Sequence, residues 1–407
     1  MLEYWLWLTT RRGLGRQGMH AALRRFGSPE AVFYADAEAY RGIEGLKNAE
    51  PLGDKDLTEP RRILSECHRK SIHILTWQDA AYPARLRSID DPPLLLYYQG
   101  TLPDIDAEPV IAMVGTRHAS LYGLQQGKML GYQMGRLGAI VASGGADGVD
   151  TVCLTGALTA GGPVIAVLGC GVDVAYPAKN RGLFEDIRYH GCLISEFPPG
   201  TPPYPDNFPV RNRILSGISV GVVVVEAPKK SGALITAGRA LEQGRDVFAL
   251  PANVGSPTSE GNLQLLKDGA TLISEGADVM REYALLYPDR IAFQPPAMPM
   301  TLTAAETKAA RPTKVAEERT FPKKVDKKDV DNLENRAYID VQEISDKLSP
   351  DEAAVIGLLG AQPLPMDEII DWSQLPAARA LAAITLLEVK QYIRRLPGKR
   401  FTLGEKR

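Results

Sequence analysis

Short apolar runs alternate with helix-length segments between about residue 108 and residue 290. The runs are rich in Val and Ile and show little polar alternation: Val110–Val114, Ala139–Ser143, Pro163–Leu168, Cys192–Ser195, Val220–Val225, Asp246–Leu250 and Ala270–Ile273. Strands covered on both faces of a parallel sheet have this composition, because neither face meets water. The pattern therefore predicts a doubly wound α/β domain with a mostly parallel sheet.

The segments before and after this domain have different patterns. Residues 1–80 predict a small helical domain, with short helices broken by turns, and a proline-rich passage then leads into the sheet, so that the α/β domain takes residues 81–290. Residues 291–347 predict a charged flexible linker, because 19 of the 40 residues from 308 to 347 are charged and few are large and apolar.

Residues 348–407 predict a winged-helix module. Apolar residues recur at helical spacing three times, Ser349 and Pro350 mark a helix start, and the tail predicts two short strands around Pro397 and Gly398. Residues 388–407 hold seven Lys or Arg and two Asp or Glu, which suits a nucleic-acid backbone. Winged modules also bind proteins, and the lack of an obviously basic recognition helix slightly favours that alternative.

The composition excludes several classes of protein. With 407 residues, 44% of them hydrophobic, the chain can form several domains that each bury a core. No apolar stretch is long enough to span a bilayer and the apolar opening Tyr4–Leu8 is too short for a signal peptide, so we expect a cytoplasmic protein with no membrane partner. The 4 cysteines show no CxxC spacing and the 5 histidines are scattered, so we expect neither disulfide, metal nor cofactor.

Net charge does not identify the partner. The whole chain has a formal charge of −2, and residues 107–290 alone hold 15 Lys or Arg against 17 Asp or Glu. A balanced total says nothing about where the charges lie, so local positions must decide whether the chain binds nucleic acid.

Two motifs typical of enzymes occur in the wrong context. Residues 13–18 match GxGxxG, but no strand of a βαβ unit precedes them, so we interpret them as a loop between small helices. Residues 217–221 match the GxSxG elbow of hydrolases, but the predicted strand follows Ser219 instead of preceding it. We therefore interpret Ser219 as a turn residue.

Glycines, hydroxyls and cations follow the first two predicted strands. VGTR at 114–117 offers Gly115 for close approach of a ligand and Arg117 for a phosphate, just before a helix that begins at Ser120 or soon after. SGGADGVD at 143–150 begins with Ser143 and Gly144, and can form a nest of backbone N–H groups for an anion. A tight strand-to-helix turn is the alternative interpretation of both motifs.

Three later motifs repeat this arrangement. YPAKN at 176–180 places Lys179 and Asn180 at a helix start, and SGALITA at 231–237 provides Ser231 at another turn. FPVRNR at 208–213 contains Phe208, Arg211, Asn212 and Arg213, which open a predicted helix where positive charge is disfavoured. A phosphate would justify these cations and the aromatic ring could stack on a base, whereas an internal ion-pair cluster with Glu196 or Glu226 is the alternative.

These motifs, in this order and spacing, resemble the DNA-processing protein A (DprA/Smf) family, and GRDVFALP at 244–251 adds to the match. The resemblance implies a Rossmann-like core between a helical domain (SAM- or helix-hairpin-helix-like) and a winged helix. It also implies a homodimer that binds and protects incoming single-stranded DNA and loads the recombinase RecA during natural transformation, with no established catalysis. Arg117, Lys179, Arg211 and Arg213 would form a basic pocket, with Ser120, Gly144, Asn180 and Asn212 nearby.

The sequence departs from the family pattern at four places. Asp147 stands where arginine is usual, Leu154 where histidine is usual, and Ala252 replaces a glycine after Pro251, while Asn262 comes one position early. A carboxylate at Asp147 would oppose DNA binding unless Arg117 or another neighbour neutralises it.

Two other functions compete with DNA binding. A nucleotide-processing phosphoribohydrolase of related fold would need an acid near the glycine turns, for which Glu196 or Glu226 is available. A regulatory scaffold would act through the winged-helix module instead of the sheet.

Overall fold

The structure is a computed structural model that describes residues 1–291, 293, 348–359, 364–373, 375–390, 392–396 and 400–403. The described residues divide into two compact units, one within Met1–Thr313 and one within Lys314–Arg407. The predicted linker falls almost entirely outside the described residues, and the division into four domains stays a prediction. No helix in the described part of the chain combines the length and apolar character that crossing a bilayer requires.

One sheet organises the first unit. Its strands in chain order are His73–Thr76 (β1), Leu95–Gly100 (β2), Val110–Val114 (β3), Ile140–Ser143 (β4), Val164–Leu168 (β5), Gly191–Ser195 (β6), Gly221–Val224 (β7), Asp246–Ala249 (β8) and Thr271–Leu272 (β9). Their order across the sheet is β1-β2-β6-β5-β4-β3-β7-β8-β9. In this order across the sheet, every pair of neighbouring strands from β6 through β3 and β7 to β9 is parallel. This confirms the predicted doubly wound, mostly parallel sheet.

Helices cover both faces of this sheet. They are Leu2–Thr10 (α1), Gly15–Phe26 (α2), Pro29–Tyr34 (α3), Thr58–Arg69 (α4), Ala84–Arg87 (α5), Leu121–Arg136 (α6), Val149–Thr159 (α7), Arg181–His190 (α8), Asn207–Gly217 (α9), Gly232–Glu242 (α10), Glu260–Lys267 (α11) and Gly276–Tyr283 (α12). Short 3-10 helices lie at Ala37–Tyr40, Glu50–Gly53, Ile105–Ala107 and Ala178–Asn180.

Two apolar clusters lie on opposite faces of the sheet. Ile111 and Met113 of β3 belong to one cluster, with the inner sides of α6 and α7 and the core of the N-terminal helices. Val110 and Ala112 belong to the other, with α9 and α10. Because side chains alternate along a strand, this division explains why the strands lack polar positions.

Two strands of this sheet were not predicted. β1 and β2 pair with each other in antiparallel fashion, and β2 also pairs antiparallel with β6, so both extend the sheet beyond its parallel part. β1 lies within residues 1–80, which we expected to be entirely helical. β1 has only 4 residues, and β2 directly follows a proline-rich passage that reads as irregular chain.

Within its described residues, the second unit has three helices and a small sheet. The helices are Pro350–Ile356 (α13), Met366–Ser373 (α14) and Ala377–Val389 (α15), and the strands are Leu364–Pro365 (β10), Ile393–Leu396 (β11) and Arg400–Leu403 (β12). β12 pairs with both other strands. The predicted helices, strands and Ser349 cap are confirmed, while the turn at Pro397 and Gly398 lies outside the described residues.

The two enzyme-like motifs lie in the contexts that the sequence predicted. Gly13 and Gly15 belong to the turn between α1 and α2 and the start of α2, with no strand before them. Ser219 follows α9 and precedes β7, and its hydroxyl donates a hydrogen bond to the carbonyl of Leu215 at 2.8 Å. Neither motif therefore forms the site that its pattern suggests.

Candidate functional site

The loops after β3, β4, β5 and β7 meet at the carboxyl edge of the sheet. The strand order runs from β3 towards β6 on one side and from β7 towards β9 on the other, so β3 and β7 flank the switch point. Ligands of open α/β sheets bind outside the strand ends at this point. Most of the predicted site residues lie along this edge.

Gly115 allows two loops to pack tightly against each other. An ideal Cβ atom there would lie 2.5 Å from Cγ2 of Val149 and 2.8 Å from the carbonyl oxygen of Glu226. The amide of Thr116 donates to that same carbonyl at 2.7 Å. The close approach that we predicted for a ligand at Gly115 is therefore made by the protein itself.

The start of α6 holds an internal anion. Ser120 caps the helix by accepting from the amide of Gly123 at 3.1 Å, and its own amide donates to Oε2 of Glu226 at 2.8 Å. The hydroxyl of Thr258 donates to the other carboxylate oxygen at 2.6 Å, and Glu226 is only 1% exposed. This carboxylate occupies the helix N-terminus at which we expected an external phosphate.

The turn after β4 wraps around Arg211. The guanidinium donates to the carbonyl of Gly144 at 2.8 Å and also to the carbonyl of Val167. An ideal Cβ at Gly144 would collide with Nη2 of Arg211. The buried Ser143 hydroxyl donates to the carbonyl of Met113 at 2.7 Å. The predicted nest at Ser143 and Gly144 therefore contacts an internal cation.

Asp150 shares the buried space around Gly144. Its Oδ2 accepts from the amide of Ala146 at 3.3 Å, so the carboxylate caps the turn from within. Burial raises the pKa of Asp150, an effect that the positive charge of Arg211 opposes, and burial lowers the pKa of Arg211. The two buried groups stabilise each other's charge, because a charge that is removed from water requires a nearby opposite charge.

Arg213 lies apart from Arg211. Residues two positions apart on a helix point in nearly opposite directions, and Arg213 contacts Glu196 at 2.7 Å and Asp91 at 3.2 Å. It is 5% exposed. The structure thus places Arg213 in the internal ion-pair cluster that was the alternative interpretation, with Asp91 as an unforeseen member, and does not bring it to the turn at Gly144.

Two asparagines and a serine join neighbouring loops. Asn180 donates to the carbonyl of Gly145 at 3.1 Å and to the hydroxyl of Thr151 at 2.8 Å, which fixes the loop that carries Lys179. Asn212 accepts from Arg211 Nε at 3.2 Å and donates to the carbonyl of Gly232 at 3.3 Å. Ser231 caps α10 through the amide of Ala233 at 3.2 Å. These residues position the edge and do not extend from it.

Four side chains on the outer surface of this edge are Arg117, Tyr176, Lys179 and Phe208, which we call the edge cluster. The Arg117 guanidinium carbon lies 5.1 Å from the centre of the Phe208 ring, and the rings of Tyr176 and Phe208 are 5.8 Å apart. Arg117, Tyr176 and Lys179 are exposed, and Phe208 is half-buried. The edge cluster therefore combines accessible positive charge with aromatic surface.

Asp147 is paired beside the edge cluster. Its Oδ1 lies 3.0 Å from Lys179 Nζ, so the neighbour that offsets this unusual carboxylate is Lys179 and not Arg117. The lysine side chain remains 58% exposed. Because an exposed ion pair is weak, a phosphate can compete with Asp147 for this ammonium group.

Asn262 is a structural residue that the sequence did not reveal. It is fully buried, accepts from the amide of Ala227 at 2.7 Å and donates to the carbonyls of Val224, Val225 and Leu250 at 3.0, 3.0 and 3.1 Å. It thus holds the ends of β7 and β8 together. Tyr176 and Asp150 were likewise not predicted as site residues, although Tyr176 stands in the YPAKN motif. Glu226 was considered as an ion-pair partner of the arginines or as a candidate acid, and not as the group that fills the start of α6.

The described residues contain no metal-binding group. No three or more His, Cys, Asp or Glu side chains among them lie close enough to hold an ion. All 4 cysteines are buried and unpaired.

Comparisons with known proteins identify relatives of the whole sheet domain. A family model described as DNA recombination-mediator protein A matches residues 73–284, and one described as the DprA winged helix domain matches residues 342–399. Protein Smf of Synechocystis is 37% identical over 276 residues, 66% of this chain and 69% of that protein. DNA processing protein DprA of Streptococcus pneumoniae is 42% identical over 205 residues, 50% of this chain and 72% of that protein.

A solved structure has the same fold. The X-ray structure of DNA processing protein A from Streptococcus pneumoniae is 33% identical in sequence, with a TM-score of 0.60. The similarity covers 69% of this chain and 98% of that one.

Proposed function

The chain belongs to the DNA recombination-mediator protein A family, also called DprA or Smf, and on that premise we propose that it binds single-stranded DNA along the carboxyl edge of its sheet. Family membership gives the chain a role in DNA processing. Protection of the strand, its delivery to RecA, action as a homodimer and a cytoplasmic location are parts of the proposal that rest on the family resemblance.

The edge cluster is the observation that carries this proposal. Arg117 and Lys179 offer donors to phosphates, and the nearby aromatic rings offer surfaces on which bases stack. Cations track the backbone of a single strand and aromatic rings bind its bases, which is how proteins bind such strands without reading their sequence. The slightly acidic total charge does not oppose this, because only local charge contacts the strand.

A salt titration tests the proposal. We expect the affinity for a single-stranded oligonucleotide to fall with salt, with a log–log slope of roughly −0.7 for each phosphate contact. Arg117→Ala and Lys179→Ala should each weaken binding and make the slope shallower by about 0.7, since each removes one contact. Fluorescence anisotropy at several salt concentrations measures both quantities.

Matched controls use cations from the opposite edge of the sheet. Arg136 is exposed in the last turn of α6 and Lys267 is exposed in the last turn of α11, so Arg136→Ala and Lys267→Ala lose the same charge far from the edge cluster. These variants should bind as the unchanged protein does. Absence of binding at low salt, or equal effects of all four substitutions, would refute the proposal.

The phosphoribohydrolase alternative lacks a free acid. Glu196 pairs with Arg213, and Glu226 accepts hydrogen bonds from Ser120 and Thr258 while almost fully buried. Cleavage of nucleoside monophosphates together with no affinity for long strands would nevertheless select that function over DNA binding.

A further inference from the structure

Phe208 is the aromatic residue that the sequence suggests for stacking, but its ring is already surrounded. Arg117 lies 5.1 Å and Arg211 6.0 Å from the ring centre. The backbone at Gly169 is so close that an ideal Cβ there would lie 3.0 Å from Phe208 Cδ1. These groups take up much of the space around the ring, and Phe208 is only half-exposed, so less of its surface is accessible to a base.

Tyr176 is the aromatic residue of the edge cluster that remains open to a strand. Its side chain is 38% exposed, and its ring rests against Phe208 at 5.8 Å with an interplanar angle of 47°. Phe208 therefore supports one part of the tyrosine ring, and the exposed part faces solvent. A supported ring loses little conformational freedom when a base stacks on it.

We propose that Tyr176 is the base-stacking residue of the edge cluster and that it selects unpaired over paired DNA. This inference rests on the proposed function. Every nucleobase has a π-face, so stacking is tolerant of sequence. In a duplex the faces of a base are covered by its neighbours, and Tyr176 could stack only on a base that has left the helix.

The cations of the edge cluster complete the arrangement. Lys179 follows Tyr176 by three residues, and Arg117 contacts the ring that supports Tyr176. Phosphates on either side of the stacked nucleotide would meet these two groups. Charge and stacking thus come from different residues, so the two contributions can be separated by experiment.

The test compares Tyr176→Leu with the unchanged protein on three strands of equal length: a single-stranded oligonucleotide, a strand of the same sugar-phosphate backbone without bases, and a duplex. We expect the substitution to weaken binding of the single strand by about 5- to 150-fold. The salt slope should not change, because no phosphate contact is lost. Binding of the base-free strand and the duplex should not change either.

Two further variants guard the interpretation. Tyr176→Phe keeps the ring and should retain the affinity, while Tyr189→Leu removes a tyrosine that is 85% exposed near the end of α8 and should have no effect. Thermal unfolding checks that each variant is folded. If Tyr176→Leu binds the single strand normally, or weakens the base-free strand equally, the inference is wrong although the proposed function stands. If the unchanged protein binds no strand, the proposed function fails first.

Discussion

Arg117 and Arg211 contact the same phenylalanine ring from different environments. Arg117 is exposed at the surface, whereas Arg211 is 5% exposed and donates to the carbonyls of Gly144 and Val167. One arginine is therefore accessible to a ligand at the surface, whereas the other stabilises the interior through hydrogen bonds. FPVRNR cannot reveal this difference, because the helix begins at Asn207 and places Arg211 in its second turn.

Substitution of each arginine should separate these roles. Arg211→Ala should lower the free energy of unfolding by about 3–5 kcal/mol, because it leaves Asp150 buried without its nearest positive charge. Arg117→Ala should lower it by less than about 1 kcal/mol, since an exposed cation–π contact is weak. Urea unfolding followed by tryptophan fluorescence gives both values.

Equal losses from the two substitutions would show that Arg211 is not a structural residue. The same reasoning determines which variants can test DNA binding. A loss of binding in Arg211→Ala would be uninformative, because the variant is expected to be strongly destabilised. The exposed pair of Arg117 and Lys179 is therefore the proper choice.

The start of α13 is built from groups that respond to pH. Ser349 accepts from the amide of Glu352 at 3.3 Å, and the Glu352 carboxylate accepts from the amide of Ser349 at 2.8 Å. Lys390, which follows the last residue of α15, donates to the same carboxylate at 2.6 Å. The hydrogen bond from Lys390, with that from Ser349, holds the pKa of Glu352 below its ordinary value.

Stability of this helix should therefore decrease in acid. A carboxylate whose pKa is lower in the folded state stabilises the fold above its unfolded pKa, about 4.3, and loses that contribution as the pH falls through the folded pKa. Glu352→Gln keeps a capping side chain but has no charge to lose, so its stability should not show this decrease. Hydrogen exchange of the α13 amides between about pH 6 and pH 3, corrected for intrinsic rates, measures the difference. Parallel curves for both proteins would contradict the assignment.

The elements differ in how far their sequence predicts them. β3 to β8 are nearly continuous apolar strands with both faces buried, so their local sequence contains the information that specifies them. β1 and β2 depend on pairing with each other and with β6. That tertiary contact is not encoded in a local pattern, and the helical interpretation of residues 1–80 therefore failed at β1.

The sequence predicted where the motifs lie in the fold more accurately than it predicted what their side chains contact. The strand-end motifs identified the carboxyl edge, because parallel strands bring all such turns together. They could not reveal that Glu226 fills the start of α6 or that Arg211 fills the turn after β4, since both partners are distant in sequence. Which groups stay exposed is decided only when the loops pack.

At the scale of the whole molecule, the sheet unit should act without the winged-helix unit. The edge cluster lies wholly within Met1–Thr313, and the second unit lies within Lys314–Arg407. A chain ending at Thr313 should keep single-strand affinity to within about threefold, because it retains all the proposed contacts. The small decrease is expected because the shortened chain lacks the basic tail. Oligonucleotide titration of the shortened and complete chains tests this, and complete loss of binding would favour the scaffold alternative.

The carboxylate of Glu226 has a kinetic consequence for the whole molecule. The carboxylate accepts from the amide of Ser120 at the start of α6. The backbone carbonyl of Glu226 accepts from the amide of Thr116, so the segment that carries Arg117 is fixed in the unbound protein. The segment between β3 and α6 is thereby ordered during folding and not when a ligand binds. In the proposed binding of a single strand, this segment then needs no rearrangement, and association should be governed by diffusion and electrostatic attraction instead of by a slow conformational change.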